Sequence, residues 1–292
     1  MRMPFEGKMN FVYCDHGVIV EWLKGRKRAT AAIEKLLKTG HQPVYSPAHI
    51  EEFAVPVQRS GLSEDVVMAE LKKLSVLTKN FEILPNSRRG LRKIRTEGKF
   101  GAFLCKEHPK YCYERVIENY KPLNDRAEGG QQMFTTLANQ EANGRVPGTV
   151  NRYDAQELLG RTPVKSSILG EYFSIFHNGH AYAKMATGIS KQSPFIEVDD
   201  PQNSINLLKG NHDAVQAMIE AVIKCLIRER YYPDPIKKYR SEMHDITHAV
   251  YASYFNLYVI DDERSREKCK AAYKFLGVPT NVLSPEQVIE TL

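Results

Sequence analysis

No stretch of this chain approaches the roughly eighteen consecutive apolar residues of a membrane-spanning helix, so none is expected. Met1 to Asn10 lacks the apolar segment of a secretory leader, which makes the cytoplasm the expected location. Cysteine is sparse. Cys14, Cys105, Cys112, Cys225 and Cys269 are odd in number, widely scattered and form no CxxC. A disulfide framework and a cysteine-rich zinc site are therefore not expected. These thiols read instead as small buried hydrophobes. No internal repeat or low-complexity tract is evident.

What remains is an ordinary globular composition. At 42% hydrophobic and 26% charged residues, the chain is neither disordered nor fibrous. Its 292 residues suffice for a large core in one domain or two. The net charge of +6 suits a polyanionic partner, and its distribution says more than its size. Arg88, Arg89, Arg92, Lys93, Arg95 and Lys99 crowd together against Glu97 alone. Such a run is either a solvated helix face or a surface that tracks phosphates, each neutralised phosphate adding salt-dependent affinity.

Strand and helix signals alternate at both ends of the chain. Phe11 to Cys14 is a β-prone run ending at Asp15, followed by helical spacing through Ile19, Trp22, Leu23, Ala32, Ile33, Leu36 and Leu37 as far as Gly40. Val44-Tyr45 is a second strand, and Ser46-Pro47 opens a helix with serine as cap and proline in the first turn. A helix over Ser63 to Lys79 and a strand over Phe81 to Leu84 follow. Residues 86–235 differ: they are richer in glycine, polar residues and basic clusters, with a clear helix from Asp213 to Arg230. They read as a mainly helical insertion. After them come a helix capped by Ser241, a strand over Leu257 to Ile260, a helix over Arg266 to Leu276, a strand over Val278 to Leu283 and a helix opened by Ser284-Pro285. Short strands alternating with helices predict an α/β fold around a parallel sheet. Ligands of such sheets bind beyond the carboxyl ends of the strands.

Four acids occupy telling positions. Asp15 and Asp262 follow strands, whereas Glu52 and Asp245 lie within amphipathic helices. Taken singly, an acid in a chain with 35 of them is more often a cap or a surface charge. Taken together, clustered carboxylates are the usual protein contribution to a Mg²⁺ or Mn²⁺ site. Without a metal they would repel one another and raise each other's pKa.

The order and spacing of these segments resemble the PIN-domain nucleases. The matching stretches are Val12-Tyr-Cys-Asp-His-Gly-Val-Ile19, Ser46-Pro-Ala-His-Ile-Glu-Glu-Phe53, Asp245-Ile-Thr-His-Ala249 and Val259-Ile-Asp-Asp-Glu-Arg264, with Phe81 to Pro85 and Val278 to Pro285 resembling further strands. The resemblance implies a PIN-like three-layer core, formed by residues 1–85 and 236–292 and interrupted by 86–235. It also implies an Mg²⁺- or Mn²⁺-dependent endoribonuclease acting on single-stranded or transfer RNA, with DNA as an alternative substrate and a toxin or defence role allowed. Asp15, Glu52, Asp245 and Asp262 would be the catalytic and metal-binding acids, with Asp261 able to assist and Glu51, His244 and His248 beside them. The basic run from Arg88 to Lys99 would contact nucleic acid, and the insertion could hold a regulatory partner. Gly17 stands where the family often has asparagine, and Ile260 where it often has threonine or serine.

Three other readings compete. His244 and His248, four apart, could be a zinc pair as in HExxH hydrolases, with Asp245 in place of the glutamate. His244-Asp245 also resembles the motif of HD-type phosphohydrolases, whose site lies in an all-helical fold. A catalytically inactive PIN-like scaffold is the non-enzymatic alternative. His177 and His180 read as ordinary histidines rather than a metal pair.

Overall fold

Asn10–Cys14 forms β1, the strand on which the rest of the fold is assembled. The structure is a computed structural model that describes residues 10–85, 102–119, 136, 155–160, 212–233 and 239–292. Two helices, α1 (His16–Leu23) and α2 (Lys27–Lys38), lead to β2 (His41–Val44); α3 (Pro47–Ser60) and α4 (Glu64–Thr78) lead to β3 (Phe81–Pro85). Then come β4 (Ala102–Lys106), α5 (Pro109–Asn119), α6 (Ala155–Gly160) and α7 (His212–Arg228). The C-terminal part is α8 (Tyr239–Ala252), β5 (Leu257–Val259), α9 (Glu263–Leu276), β6 (Asn281–Leu283) and α10 (Pro285–Thr291).

β1 pairs in parallel with β2 on one side and β5 on the other, and β5 pairs in parallel with β6. The order is β2-β1-β5-β6. A parallel bridge from Tyr45 to Glu82 attaches β3 beyond β2, and β4 pairs antiparallel with β3. The two ends of the sequence thus meet in the middle of one sheet. Alternation along the strands divides the core in two. Tyr13 and Tyr258 face a cluster built largely from α7, α8 and α9. Val12, Cys14, Leu257 and Val259 face the other, built from α1 to α5. With both faces covered, β1 can be apolar at successive positions.

Several boundaries differ from the sequence expectation, each for a local reason. The first helical stretch is two helices because Gly25, at φ +69°, takes a left-handed turn between them. Of the adjacent Leu36 and Leu37, only the first is buried, since an amphipathic helix has one inner stripe. Ser241 lies inside α8 rather than capping it, and β6 begins three residues after Val278. Ser46 and Ser284 do cap their helices, each within a reciprocal capping box completed by His49 and Gln287.

The described parts of residues 86–235 are one strand and three helices. They are not held at arm's length. Ile219, Val222 and Leu226 of α7 are fully buried in the same cluster as Tyr13 and Tyr258, and Cys112 and Tyr113 of α5 lie in the other. Among the described residues, no helix is long and apolar enough to cross a membrane.

Candidate active site

Asp15 stands where β1 ends, and its backbone N–H continues the sheet by donating to the Val259 carbonyl at 2.8 Å. Its carboxylate also caps α1. Gly17 N–H donates to Oδ2 at 3.0 Å, and the Tyr258 hydroxyl donates to Oδ1 at 3.2 Å. A Cβ added at Gly17 would lie 3.2 Å from Oδ2, so glycine gives this carboxylate its close seat. The group is nonetheless held largely out of water. Burial first, and then the charge of Glu52, raise its pKa to about 7, despite the hydrogen bonds that lower it.

Two helices bring further acids to this point. Glu52 sits on α3 four residues before Pro56. Proline lacks the N–H that would bond the Glu52 carbonyl, so the helix is loosened at the residue carrying the acid. His248 Nε2 lies 2.6 Å from Glu52 Oε1. Asp245, one helical turn before His248 on α8, accepts a hydrogen bond from the Ser265 hydroxyl at 2.5 Å. Its pKa is raised by burial and then by Asp15, while the charge of Lys268 on α9 opposes the rise. Asp15, Glu52 and Asp245 therefore share one electrostatic neighbourhood.

Asp262 caps α9 by accepting from Ser265 N–H at 2.9 Å. Ser265 thereby links Asp262, through its amide, to Asp245, through its hydroxyl. Asp262 is exposed and lines an open cleft with Asp15, Gly17, Glu21, Arg28, Asp261 and Glu263. Asp261 is engaged elsewhere. Arg28 of α2 pairs with it and with Glu286 of α10, the latter at 2.6 Å. Asp15, itself buried, is common to the cleft and to the group it forms with the half-buried Glu52 and Asp245, which makes it the centre of the site.

Beneath the acids lies a buried polar chain. The Tyr13 hydroxyl is 2.7 Å from both His248 Nδ1 and Ser46 Oγ. His49 Nδ1 accepts from Ser46 N–H at 3.1 Å, and its Nε2 donates to the Cys14 carbonyl at 2.8 Å. Burial lowers the pKa of both His49 and His248 to about 3, so both rings are neutral near pH 7. His16 packs against Phe53 with ring centroids 4.8 Å apart. Burial lowers its pKa to about 4, and its Nδ1 has no hydrogen-bond partner among the described residues.

The structure thus brings Asp15, Glu52 and Asp245 together and sets Asp262 at the mouth. Of the two neighbouring glutamates, Glu52 is the one bonded to His248. A zinc pair of His244 and His248 does not fit, because both ring nitrogens of His248 are engaged in hydrogen bonds. His244 is half-buried and near enough for its charge to act on His248 and His16. The basic positions Arg88, Arg89, Arg92, Lys93, Arg95 and Lys99, and the histidines His177 and His180, lie outside the described residues. Among the described residues, no group of three or more His, Cys, Asp or Glu side chains already stands in a metal-holding arrangement. The donor set is still of the right kind. Mg²⁺ keeps several waters and takes only one or two carboxylates, a demand that Asp15 with Glu52 or Asp245 meets.

Sequence reasoning missed Tyr13, Ser46 as more than a cap, His49, Tyr258, Ser265 and Lys268. Two signals were available: His49 occupies the capping-box position three residues after Ser46, and Ser265 stands three after the capping Asp262. Comparison with protein-family models, with curated proteins and with solved structures returns no match.

Proposed function

We propose that this chain is a PIN-like, Mg²⁺- or Mn²⁺-dependent endonuclease that hydrolyses phosphodiester bonds of RNA. The observation that carries the reading is the meeting of Asp15, Glu52 and Asp245 from three separate elements at the carboxyl end of β1. A partly buried group of like charges is unfavourable on its own and becomes favourable beside a divalent cation. A bound ion would polarise the phosphodiester and make an attached water a better nucleophile. The chain's own residues do the rest. Gly17 N–H and Tyr258 fix Asp15, Ser265 fixes Asp245, and His248 fixes Glu52. Asp262 extends the acidic wall toward the open cleft. Hydrolysis would place the water oxygen on phosphorus and a proton on the leaving oxygen. The positive run from Arg88 to Lys99 would hold the RNA backbone.

One observation favours the second reading, an inactive PIN-like scaffold: Asp261 is occupied by Arg28, leaving fewer acids to ligate an ion. The deciding experiment is cleavage of single-stranded RNA by purified protein with Mn²⁺, beside Asp15→Asn and Asp245→Asn. The nuclease reading expects cutting that stops on chelation, and a loss of about a hundredfold or more in each variant. No cutting, or equal cutting by the variants, would leave the scaffold.

A further inference from the structure

Glu52 is held by a chain of hydrogen bonds that enters it from the protein interior. The chain runs from Ser46 through Tyr13 and His248, residues drawn from the start of α3, from β1 and from α8. Tyr13 and His248 are fully buried, and Ser46 likewise, so water does not compete for these bonds. The direction of each bond follows from donor and acceptor chemistry. Glu52 as a carboxylate can only accept, so His248 carries its proton on Nε2. Its Nδ1 is then an acceptor, and the only hydrogen on the Tyr13 hydroxyl must go to it. Tyr13 oxygen accepts in turn from the Ser46 hydroxyl. Ser46 is itself anchored, because its N–H donates to His49 Nδ1 and His49 Nε2 donates to the Cys14 carbonyl. Cys14 is the residue before Asp15. One buried network therefore reaches from the backbone beside the first acid to the carboxylate of the second.

We propose that His248 is a positioning residue for Glu52: the Ser46–Tyr13 pair holds its ring so that Nε2–H secures Glu52 Oε1 and leaves Oε2 for a divalent cation beside Asp15 and Asp245. The role in cation binding rests on the proposed metal-dependent function; the Nε2–H tautomer and the held ring do not. The zinc-like spacing of His244 and His248 thereby acquires a different meaning. His248 acts on the metal through Glu52, and ring orientation is its contribution. Pro56 makes such a support useful, since α3 is loosened at Glu52 and the backbone alone fixes the acid less firmly.

The test uses the full chain without metal, and then Mn²⁺ alone as probe. Two-bond ¹H–¹⁵N spectra report the His248 tautomer in the unaltered protein and in Tyr13→Phe. Mn²⁺ titration compares these with His248→Gln and His248→Ala. The expected result is a single Nε2–H tautomer in the unaltered protein, kept in Tyr13→Phe because Glu52 still accepts from it. Mn²⁺ affinity should fall about tenfold in Tyr13→Phe and at least as far in His248→Ala. His248→Gln should recover most of it, because the glutamine amide can supply the lost donor. An Nδ1–H tautomer in the unaltered protein, or equal Mn²⁺ binding by the alanine and glutamine variants, would overturn the proposal. If the unaltered protein binds no Mn²⁺, the metal-dependent function fails and the cation role with it. The tautomer spectra then judge the positioning of Glu52 by themselves.

Discussion

Asp15 is the residue on which burial and charge act most plainly. An acid withdrawn from water ionises less readily, and a neighbouring carboxylate deepens the effect. In the metal-free protein its pKa is raised from 3.8 to about 7, by burial and then by Glu52. Between these values the folded state holds a proton that the unfolded state has lost, so the contribution of Asp15 to stability falls as pH rises through that window. Above about pH 7 this contribution stays constant. A cation that requires the ionised acid would release the proton on binding, so its affinity should climb with pH up to about 7. Thermal unfolding of the unaltered protein and of Asp15→Asn between pH 4 and pH 8, with and without Mg²⁺, isolates both slopes from the opposite pull of the neutral His16, His49 and His248. Without metal, the stability of the unaltered protein relative to Asp15→Asn should fall as pH rises; a relative stability that rises would contradict the placement of Asp15. The acids themselves were legible because a strand end or an apolar helix face marks each one. Their supports were not. Glu52 and His248 are separated by 196 positions, and no local pattern encodes a bond of that span.

At the scale of elements, periodicity located most helices and strands, while backbone dihedrals decided where they stop. Gly25 shows the difference. Its neighbours carry helical spacing on both sides, and only the left-handed turn at φ +69° separates α1 from α2. A Cβ there would meet nothing within 4 Å, so Gly25→Ala introduces backbone strain without a clash. The expected loss is about 1–2 kcal/mol in denaturant unfolding, with the site unaltered. A loss near zero would mean that the turn relaxes into one helix. β4 went unpredicted because a short, half-exposed strand has little pattern of its own; its pairing with β3 defines it. α7 was legible as a helix, but its place against α8 and α9 was not, since apolar spacing says which face is buried and not what covers it.

The whole molecule places two distant parts of the chain side by side. β1 and β5, more than two hundred residues apart in sequence, are adjacent strands, and their ends carry Asp15 and the Asp261-Asp262 pair. The described helices of residues 86–235, α5 to α7, contribute to both hydrophobic clusters. α7 packs on the two helices that carry Asp245 and Asp262, which ties the orientation of these acids to the middle of the chain. The α/β class and the parallel sheet followed from strand–helix alternation. The division into a core and an insertion followed from composition, which is blind to packing. On the proposed function, the acids from both ends form one divalent-cation site. Crystals soaked in Mn²⁺ and measured for anomalous scattering test it most directly. The expected peak is bound by an Asp15 oxygen together with Glu52 or Asp245, at about the 2.0–2.1 Å typical of Mg²⁺ or slightly longer. A peak elsewhere with these carboxylates bare, or none at saturating Mn²⁺, would contradict it.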